Sequence, residues 1–451
     1  MSFSEILTKI SDFVWGPPVL ILIVGTGLFL SIRLGFMQFS NLPYALKLAF
    51  SKNQDKKSEG DISHFQSLMT ALAATIGTGN IAGVATAVVL GGPGAVFWMW
   101  ITALVGMATK YAEAILAVKY RTVGKNGQMA GGPMYYIERG LGWKWLAILF
   151  AFFGAIAAFG IGSSVQSNSV AAAVESSFGI NPWITGIVLT IGTGLVLIGG
   201  IKSIGKVTSF FVPFMAIFYV LGGLVIILIN ISELPAAIGL IFSDAFTGQA
   251  VAGGAIGAVI RYGVARGVFS NEAGMGSAPI AAAAAKTDYP GRQALISMTG
   301  TFLDTVVVCS ITGITLVMGG LYTGGETGAA LTTKTFDLLL PGVGGWVVTL
   351  GLIFFAYSTV LGWAYYGEKC FEYLFGTGSI LVYRVIYTTT VLLGAGASLG
   401  LVWTISDIFN ALMAIPNLIG LLFLSGVVVA ETKIFNEVRK KEKQEKLTKT
   451  A

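Results

Sequence analysis

Two glycine-rich stretches hold the residues best able to do chemistry in this 451-residue chain. The first reads Ala74-Thr75-Ile76-Gly77-Thr78-Gly79-Asn80-Ile81-Ala82-Gly83. The second reads Arg266-Gly267-Val268-Phe269-Ser270-Asn271-Glu272-Ala273-Gly274-Met275-Gly276. Each interrupts an apolar run, and a glycine inside a helix costs about 1 kcal/mol relative to alanine, so such clusters favour unwinding. Close packing of membrane helices is the other use of glycine. Two clusters at corresponding places, each mixed with Asn, Ser or Thr, point instead to a site. A broken helix offers free amides that attract an anion at the start of one half. It offers free carbonyls that attract a cation at the end of the other. A free amino acid carries both charges on adjacent atoms. In this reading the amides around Gly77, Thr78, Gly79 and Asn80 hold its carboxylate, assisted by a hydroxyl of Thr75 or Thr78. Carbonyls of residues 266–269, with Ser270 or Asn271, hold its ammonium, while Phe269 and Trp363 wall off a short side chain.

A co-transported cation needs several oxygens in a dry place. Ser358 and Thr359 are adjacent hydroxyls in an apolar run, and with carbonyls of Ala74 and Gly77 they would form a hard-oxygen site. The competing use of such hydroxyls is a bond back to the preceding helical turn. A polar patch, Ser163-Ser164-Val165-Gln166-Ser167-Asn168-Ser169, includes Gln166, whose amide both donates and accepts. Interhelical hydrogen bonding is its other reading. Glu113, Arg261, Arg266, Glu272 and Asp304 also fall within apolar runs, where charges pair or line a polar path. Lys110 and Glu113 have the spacing of helix neighbours, and Glu272 and Asp304 are candidates for more than pairing.

The elements that must position these residues follow from composition. Only 11% of the residues are charged and 55% are hydrophobic, with a mean hydropathy of +0.79. Soluble domains carry about 25% charged residues, so an ordinary soluble enzyme is excluded. His64 as the sole histidine argues against a zinc site, and Cys309 and Cys370 against a disulfide scaffold. A membrane helix needs about 20 mostly apolar residues. Eleven such runs are expected, over residues 15–36, 66–90, 93–118, 145–173, 183–199, 205–230, 246–285, 293–320, 346–366, 381–403 and 405–430. The runs are too long and continuous for barrel strands, and the first lacks the basic start and small-residue cleavage site of a signal peptide.

Basic residues orient the chain. Lys47, Lys52, Lys56, Lys57, Lys119, Arg121, Lys125, Arg139, Lys202, Lys206, Lys286, Arg292 and Lys369 share one side with a tail that adds Lys433, Arg439, Lys440, Lys441, Lys443, Lys446 and Lys449. Only Lys9 and Lys334 fall on the other. The positive-inside rule then places the N-terminus outside and the C-terminus in the cytoplasm of a multi-pass cell-membrane protein. The basic tail reads as a solvated end near anionic lipid.

Without the first run, ten remain as two sets of five matched at an offset of about 200 residues. An odd number per set inverts the second set, which is the plan of many secondary transporters, with a broken helix leading each half. The organisation expected is an all-α polytopic protein. An N-terminal helix and linker occupy residues 1–60, inverted repeats occupy 61–231 and 232–430, and a basic tail occupies 431–451.

One stretch adds a resemblance. Gly91-Gly92-Pro93-Gly94-Ala95-Val96-Phe97-Trp98-Met99-Trp100-Ile101-Thr102-Ala103-Leu104-Val105-Gly106 resembles the signature of the sodium:alanine symporter family, also called alanine or glycine:cation symporters. The stretches around Gly77–Gly83 and Gly267–Gly276, with Ser270-Asn271-Glu272, resemble the family too. The resemblance implies eleven helices with a leucine-transporter-like five-plus-five core, importing alanine or glycine with sodium and occasionally with a proton. It implies substrate contacts at Thr75, Thr78, Gly79, Gln166 and Phe269, Ser270, Asn271 and Glu272. It also places Ser358 and Thr359 where the wider fold holds its most widespread sodium. A second sodium site has no clear counterpart.

The partners expected are a small amino acid, sodium and the lipid bilayer, with no prosthetic group and no nucleic acid. Another small amino acid, or proton coupling on the same fold, is the alternative within transporters. An ion channel needs a continuous polar pore, whereas the polar residues here concentrate at mid-depth. A metalloprotease needs a histidine pair that one histidine does not supply.

Overall fold

The computed structural model describes residues 3–51, 58–247, 256–397 and 400–450. The expected cytoplasmic lysines Lys52, Lys56 and Lys57, and residues 248–255 of the expected seventh run, lie outside these. Among the described residues the secondary structure is helical, apart from a hairpin of two-residue strands, Thr122–Val123 and Met129–Ala130, and a single parallel bridge between Ile62 and Ala285.

In chain order the main helices are α1 (Phe3–Val14), α2 (Pro17–Arg33), α3 (His64–Thr75), α4 (Ala82–Gly91) and α5 (Gly94–Lys119). Then come α6 (Lys144–Phe178), α7 (Pro182–Ile198), α8 (Gly200–Ile229), α9 (Ile256–Asn271) and α10 (Ala278–Ala283). The chain closes with α11 (Pro290–Gly319), α12 (Gly344–Phe375), α13 (Ile380–Gly396), α14 (Gly400–Phe423) and α15 (Ser425–Thr450). Three shorter helices, Met37–Ala49, Leu234–Thr247 and Gly328–Leu339, join spans. Among the described residues, eight helices are long and apolar enough to cross a membrane. The three expected runs outside that set have visible reasons. The second divides into α3 and α4, the seventh into α9 and α10, and the fifth, α7, has only 17 residues.

Small residues let the helices approach closely. A Cβ on Gly362 of α12 would lie 2.7 Å from the Ala74 backbone nitrogen, so α12 lies directly against the end of α3. The family-like stretch from Gly91 to Gly106 is scaffold. The Gly94 amide donates to Asp244 Oδ2 at 2.8 Å, Trp98 Nε1 to the Ala245 carbonyl at 3.0 Å and Trp100 Nε1 to Ser310 Oγ at 2.8 Å. Its two tryptophans thus clamp α5, against which α9 and α11 both pack.

The tail differs from the expected solvated end. Residues 425–450 continue as helix, and Phe435 is buried. Arg439 stacks on Tyr44 at 4.1 Å and bonds Asn41, while Glu431 pairs with Lys119 at 2.7 Å and Glu442 with Arg292 at 2.5 Å. Apolar and ionic contacts therefore dock the tail's first turns on the body.

Candidate functional site

The first break begins where Asn80 diverts a helical bond. The Ile76 amide still donates to the Leu72 carbonyl at 2.8 Å, but the next, that of Gly77, donates to Asn80 Oδ1 at 2.9 Å. The Ala73 carbonyl loses its helical partner in consequence. Thr78–Asn80 form one tight turn before α4 resumes. Of the four amides at residues 77–80, those of Thr78 and Gly79 lack an acceptor among the described residues, so Gly77 and Asn80 do not offer theirs as expected.

The second break lies later than expected. Helix α9 runs through Asn271, so residues 266–267 are still helical, and the chain unwinds over residues 272–277. Glu272 adopts φ +54°, a left-handed conformation costly for a residue with a side chain, and such strain clusters at functional sites. Its carboxylate accepts from Trp363 Nε1 at 2.9 Å and from the Ser277 hydroxyl. The anion-attracting amides of this break are already taken. Gly274 and Gly276 both donate to Glu113 Oε1 at 3.1 Å, which also accepts from Asn417 Nδ2 at 2.7 Å. Glu113 therefore caps a broken helix, and no ion pair joins it to Lys110, whose Nζ has no hydrogen-bond partner among the described residues.

Between the breaks lies a cavity of about 20 Å³, lined by Ala74, Thr75, Gly77, Thr78, Gly79, Ile161, Gln166, Phe269, Glu272, Thr359, Trp363 and Asn410. It brings together ten of the fourteen residues selected from the sequence. The other four point elsewhere. Ser270 Oγ and Asn80 Nδ2 donate to Asp304, at 2.9 and 2.7 Å, and Asn271 Nδ2 donates to Thr305 Oγ1 at 3.1 Å. Thr305 also donates to Asp304 at 2.7 Å, so this carboxylate ties the two breaks from behind. Ser358, the fourth, lies against the α3 carbonyls.

Those carbonyls are not the expected pair. Ser358 Oγ and Thr359 Oγ1 donate to the Ala73 carbonyl, at 3.2 and 3.1 Å, and both reach the Ile76 carbonyl at 3.4 Å. Each also bonds back to Phe355, the competing use of a membrane hydroxyl. The oxygens belong to residues one position earlier than Ala74 and Gly77 because the helix ends at Thr75, leaving its last carbonyls to point forward. The approach requires glycine at 77, where a Cβ would fall 2.5 Å from Thr359 Oγ1.

Gln166 is aimed into the cavity by a local widening of α6, where residues 158–164 take five-residue hydrogen-bonded turns, a distortion frequent at functional sites. Its Nε2 donates to the Ile161 carbonyl at 3.0 Å and Thr78 Oγ1 at 3.3 Å. Its Oε1 has no donor among the described residues, and neither has Asn410 Oδ1. Asn410 is the lining group that the sequence reading missed. The available signal was the pair of amides, Asn410 and Asn417, in the apolar run 405–430. Ile161 gave none.

Two further spaces adjoin this cavity. A cleft of about 510 Å³ shares Thr78 with it and carries Asn168, Ser169, Ser176, Ser177 and Thr333. On the other side Thr75 is shared with a chamber of about 10 Å³ containing Lys110, Ser67 and Ser297.

The chain is similar to known proteins over nearly its whole length. The sodium:alanine symporter family model matches residues 1–449. A protein named sodium/alanine symporter AgcS from Methanococcus maripaludis is 66% identical over 98% of this chain and 99% of its own length. A Bacillus subtilis protein named "Probable sodium/glutamine symporter GlnT" is 38% identical over 95% of this chain and 90% of its own. The crystal structure of MhsT in complex with L-phenylalanine superposes with a TM-score of 0.59 at 15% identity, over 83% of this chain and 93% of that one.

Proposed function

Because the chain belongs to the sodium:alanine symporter family, we propose that it imports alanine or glycine by alternating access, with the substrate in the cavity between the broken helices. Sodium-coupled symport of an amino acid is the family's activity, and the chain is a multi-pass membrane transporter, not an enzyme.

One observation carries the choice of cavity. Two amides without acceptors among the described residues, at Thr78 and Gly79, and two carbonyl oxygens without donors, on Gln166 and Asn410, belong to residues that line the same space. The amides suit a carboxylate. The carbonyls, with the Glu272 carboxylate, suit an ammonium. Ser270 and Asn271 leave this set because Asp304 and Thr305 engage them. About 20 Å³ accommodates roughly one water, so an amino acid enters only if walls shift, and Phe269, Trp363 and Ile161 leave space for the smallest side chains.

Sodium in this reading takes the oxygens of Ala73, Ile76, Ser358 and Thr359 once the hydroxyls turn from donating to coordinating. The shared Thr359 wall lets cation and substrate stabilise one closed state, and coupling is that mutual preference. The Thr78 cleft and the Thr75 chamber then serve as the outer and inner approaches. The basic-residue asymmetry supports a cytoplasmic C-terminus. The matched positions of the two breaks support inverted repeats over 61–231 and 232–430 behind the N-terminal segment 1–60, with 431–451 as the cytoplasmic tail.

Competition tests the substrate. Excess unlabelled glycine should suppress uptake of labelled alanine, and glutamine should not. Equal suppression by glutamine would assign the cavity to a longer side chain.

A further inference from the structure

Helices α2, α5 and α9 enclose a groove of about 500 Å³, within the range of pockets that bury most of a bound molecule. Its walls come from residues 17–25 of α2, 98–102 of α5 and 257–264 of α9, and apart from Thr102 and Arg261 they are apolar or glycine. Helix α2 packs along α5 but barely meets α9, and two glycines keep the gap between them open. A Cβ on Gly25 or on Gly257 would meet nothing within 4 Å. Ile21, also on the wall, is exposed although it lies in a membrane span, so the groove faces the bilayer. Water finds few polar partners on such walls, and acyl chain fits them. The α2 wall from Pro17 to Gly25 is about 12 Å long at 1.5 Å per residue. One leaflet of hydrocarbon is about 15 Å thick.

Arg261 marks the headgroup end. Its guanidinium donates to Asp12 of α1 at 3.1 Å and lies over the Tyr262 ring at 5.6 Å. Helix α1 carries exposed Ile6, Ile10 and Phe13 in one stripe, beside exposed Glu5, Lys9 and Asp12 in another. That composition suits a helix lying at the boundary of headgroups and acyl chains. Trp98 of the wall and Tyr262 are the residue types that bilayer interfaces select. A guanidinium has five donors, so one carboxylate leaves it able to hold a phosphate as well.

We propose that this groove binds one phospholipid, its acyl chain between α2 and α9 and its phosphate on Arg261. The lipid then joins α2, which lies outside the ten runs of the core, to the broken helix that carries Phe269 and Glu272.

Phosphatidylglycerol with a diazirine midway along one chain tests this on the purified, delipidated full-length protein in detergent micelles, where detergent replaces loosely held lipid. Light should label Ile21, Val24 and Ile260 about tenfold more than Phe210, an exposed residue of α8. Gly25→Phe fills the groove and should cut those labels about tenfold while Phe210 stays unchanged. Gly257→Phe fills it from the opposite wall and should do the same, should the first variant fail to fold. Arg261→Gln should lower labelling by phosphatidylglycerol about tenfold and leave labelling by a diacylglycerol with the same chains unchanged. Groove labels no stronger than that of Phe210, or untouched by either glycine substitution, overturn the site. Equal loss of both probes in Arg261→Gln overturns the phosphate contact. Cross-linking of two chains through Ile21→Cys by a short bis-maleimide also overturns the proposal, because a second copy would then occupy the groove. None of these readouts involves transport, so their failure leaves the transport reading standing.

Discussion

Thr359 reaches both ligands of the proposed cycle, its hydroxyl on the α3 carbonyls and its face on the substrate cavity. Removing that hydroxyl should weaken sodium first. Thr359→Ala is expected to raise the sodium concentration for half-maximal alanine uptake about tenfold, with a much smaller change in alanine affinity at saturating sodium. Unchanged sodium dependence would place the cation elsewhere. At Gly77 the constraint is steric. Gly77→Ala puts a Cβ 2.5 Å from Thr359 Oγ1 and should abolish sodium-driven uptake while the protein remains folded, as size-exclusion elution would show. Much of this was readable in the sequence, because glycine, hydroxyl and amide residues at mid-depth in an apolar run have few uses. Which oxygens converge was not. The shift from Ala74 and Gly77 to Ala73 and Ile76 depends on where α3 ends, and that is set by one side chain, Asn80, capturing the Gly77 amide. Asn410 escaped notice because two amides in a mostly apolar run, Asn410 and Asn417, do not by themselves say which of them reaches the cavity.

Both broken helices are held open by carboxylates outside the cavity. Asp304 receives Asn80, Ser270 and Thr305, tying the first break to the second, while Glu113 receives the Gly274 and Gly276 amides and Asn417. Hydrogen bonds to a charged group contribute about 1.5–3 kcal/mol each, so these residues hold the geometry of the breaks. Glu113→Gln keeps the shape but lessens the acceptor strength for two amides. It should lower the thermal unfolding midpoint measurably, whereas Glu233→Gln, in an exposed turn, should leave it unchanged. An unaltered midpoint in the first would mean that the amides find other acceptors. Glycine clusters announced both breaks, but the second was placed too early. Its glycines begin at Gly267, whereas the helix persists to Asn271. Tertiary packing against α5 overrode the local propensity there.

Across the whole molecule, charge asymmetry and cavity order are the grounds for the proposed orientation. With Cys309 and Cys370 both buried, cysteines introduced at Lys334 and Lys440 should react selectively with an impermeant maleimide. In right-side-out vesicles Lys334→Cys should be labelled and Lys440→Cys protected; the reverse pattern would invert the topology. The helical plan was readable from apolar run lengths alone. The docked tail was not, since a strongly basic segment has the composition of a solvated one and only Phe435, Arg439 and their neighbours reveal the contact. Coupling is the property that joins all three scales: hydroxyls proposed to hold a cation, broken helices proposed to hold an amino acid, and a bilayer across which both must move together. Uptake of labelled alanine into proteoliposomes reads it directly. An inward sodium gradient should drive accumulation above equilibrium. Equal uptake with choline replacing sodium at matched pH would contradict sodium coupling outright.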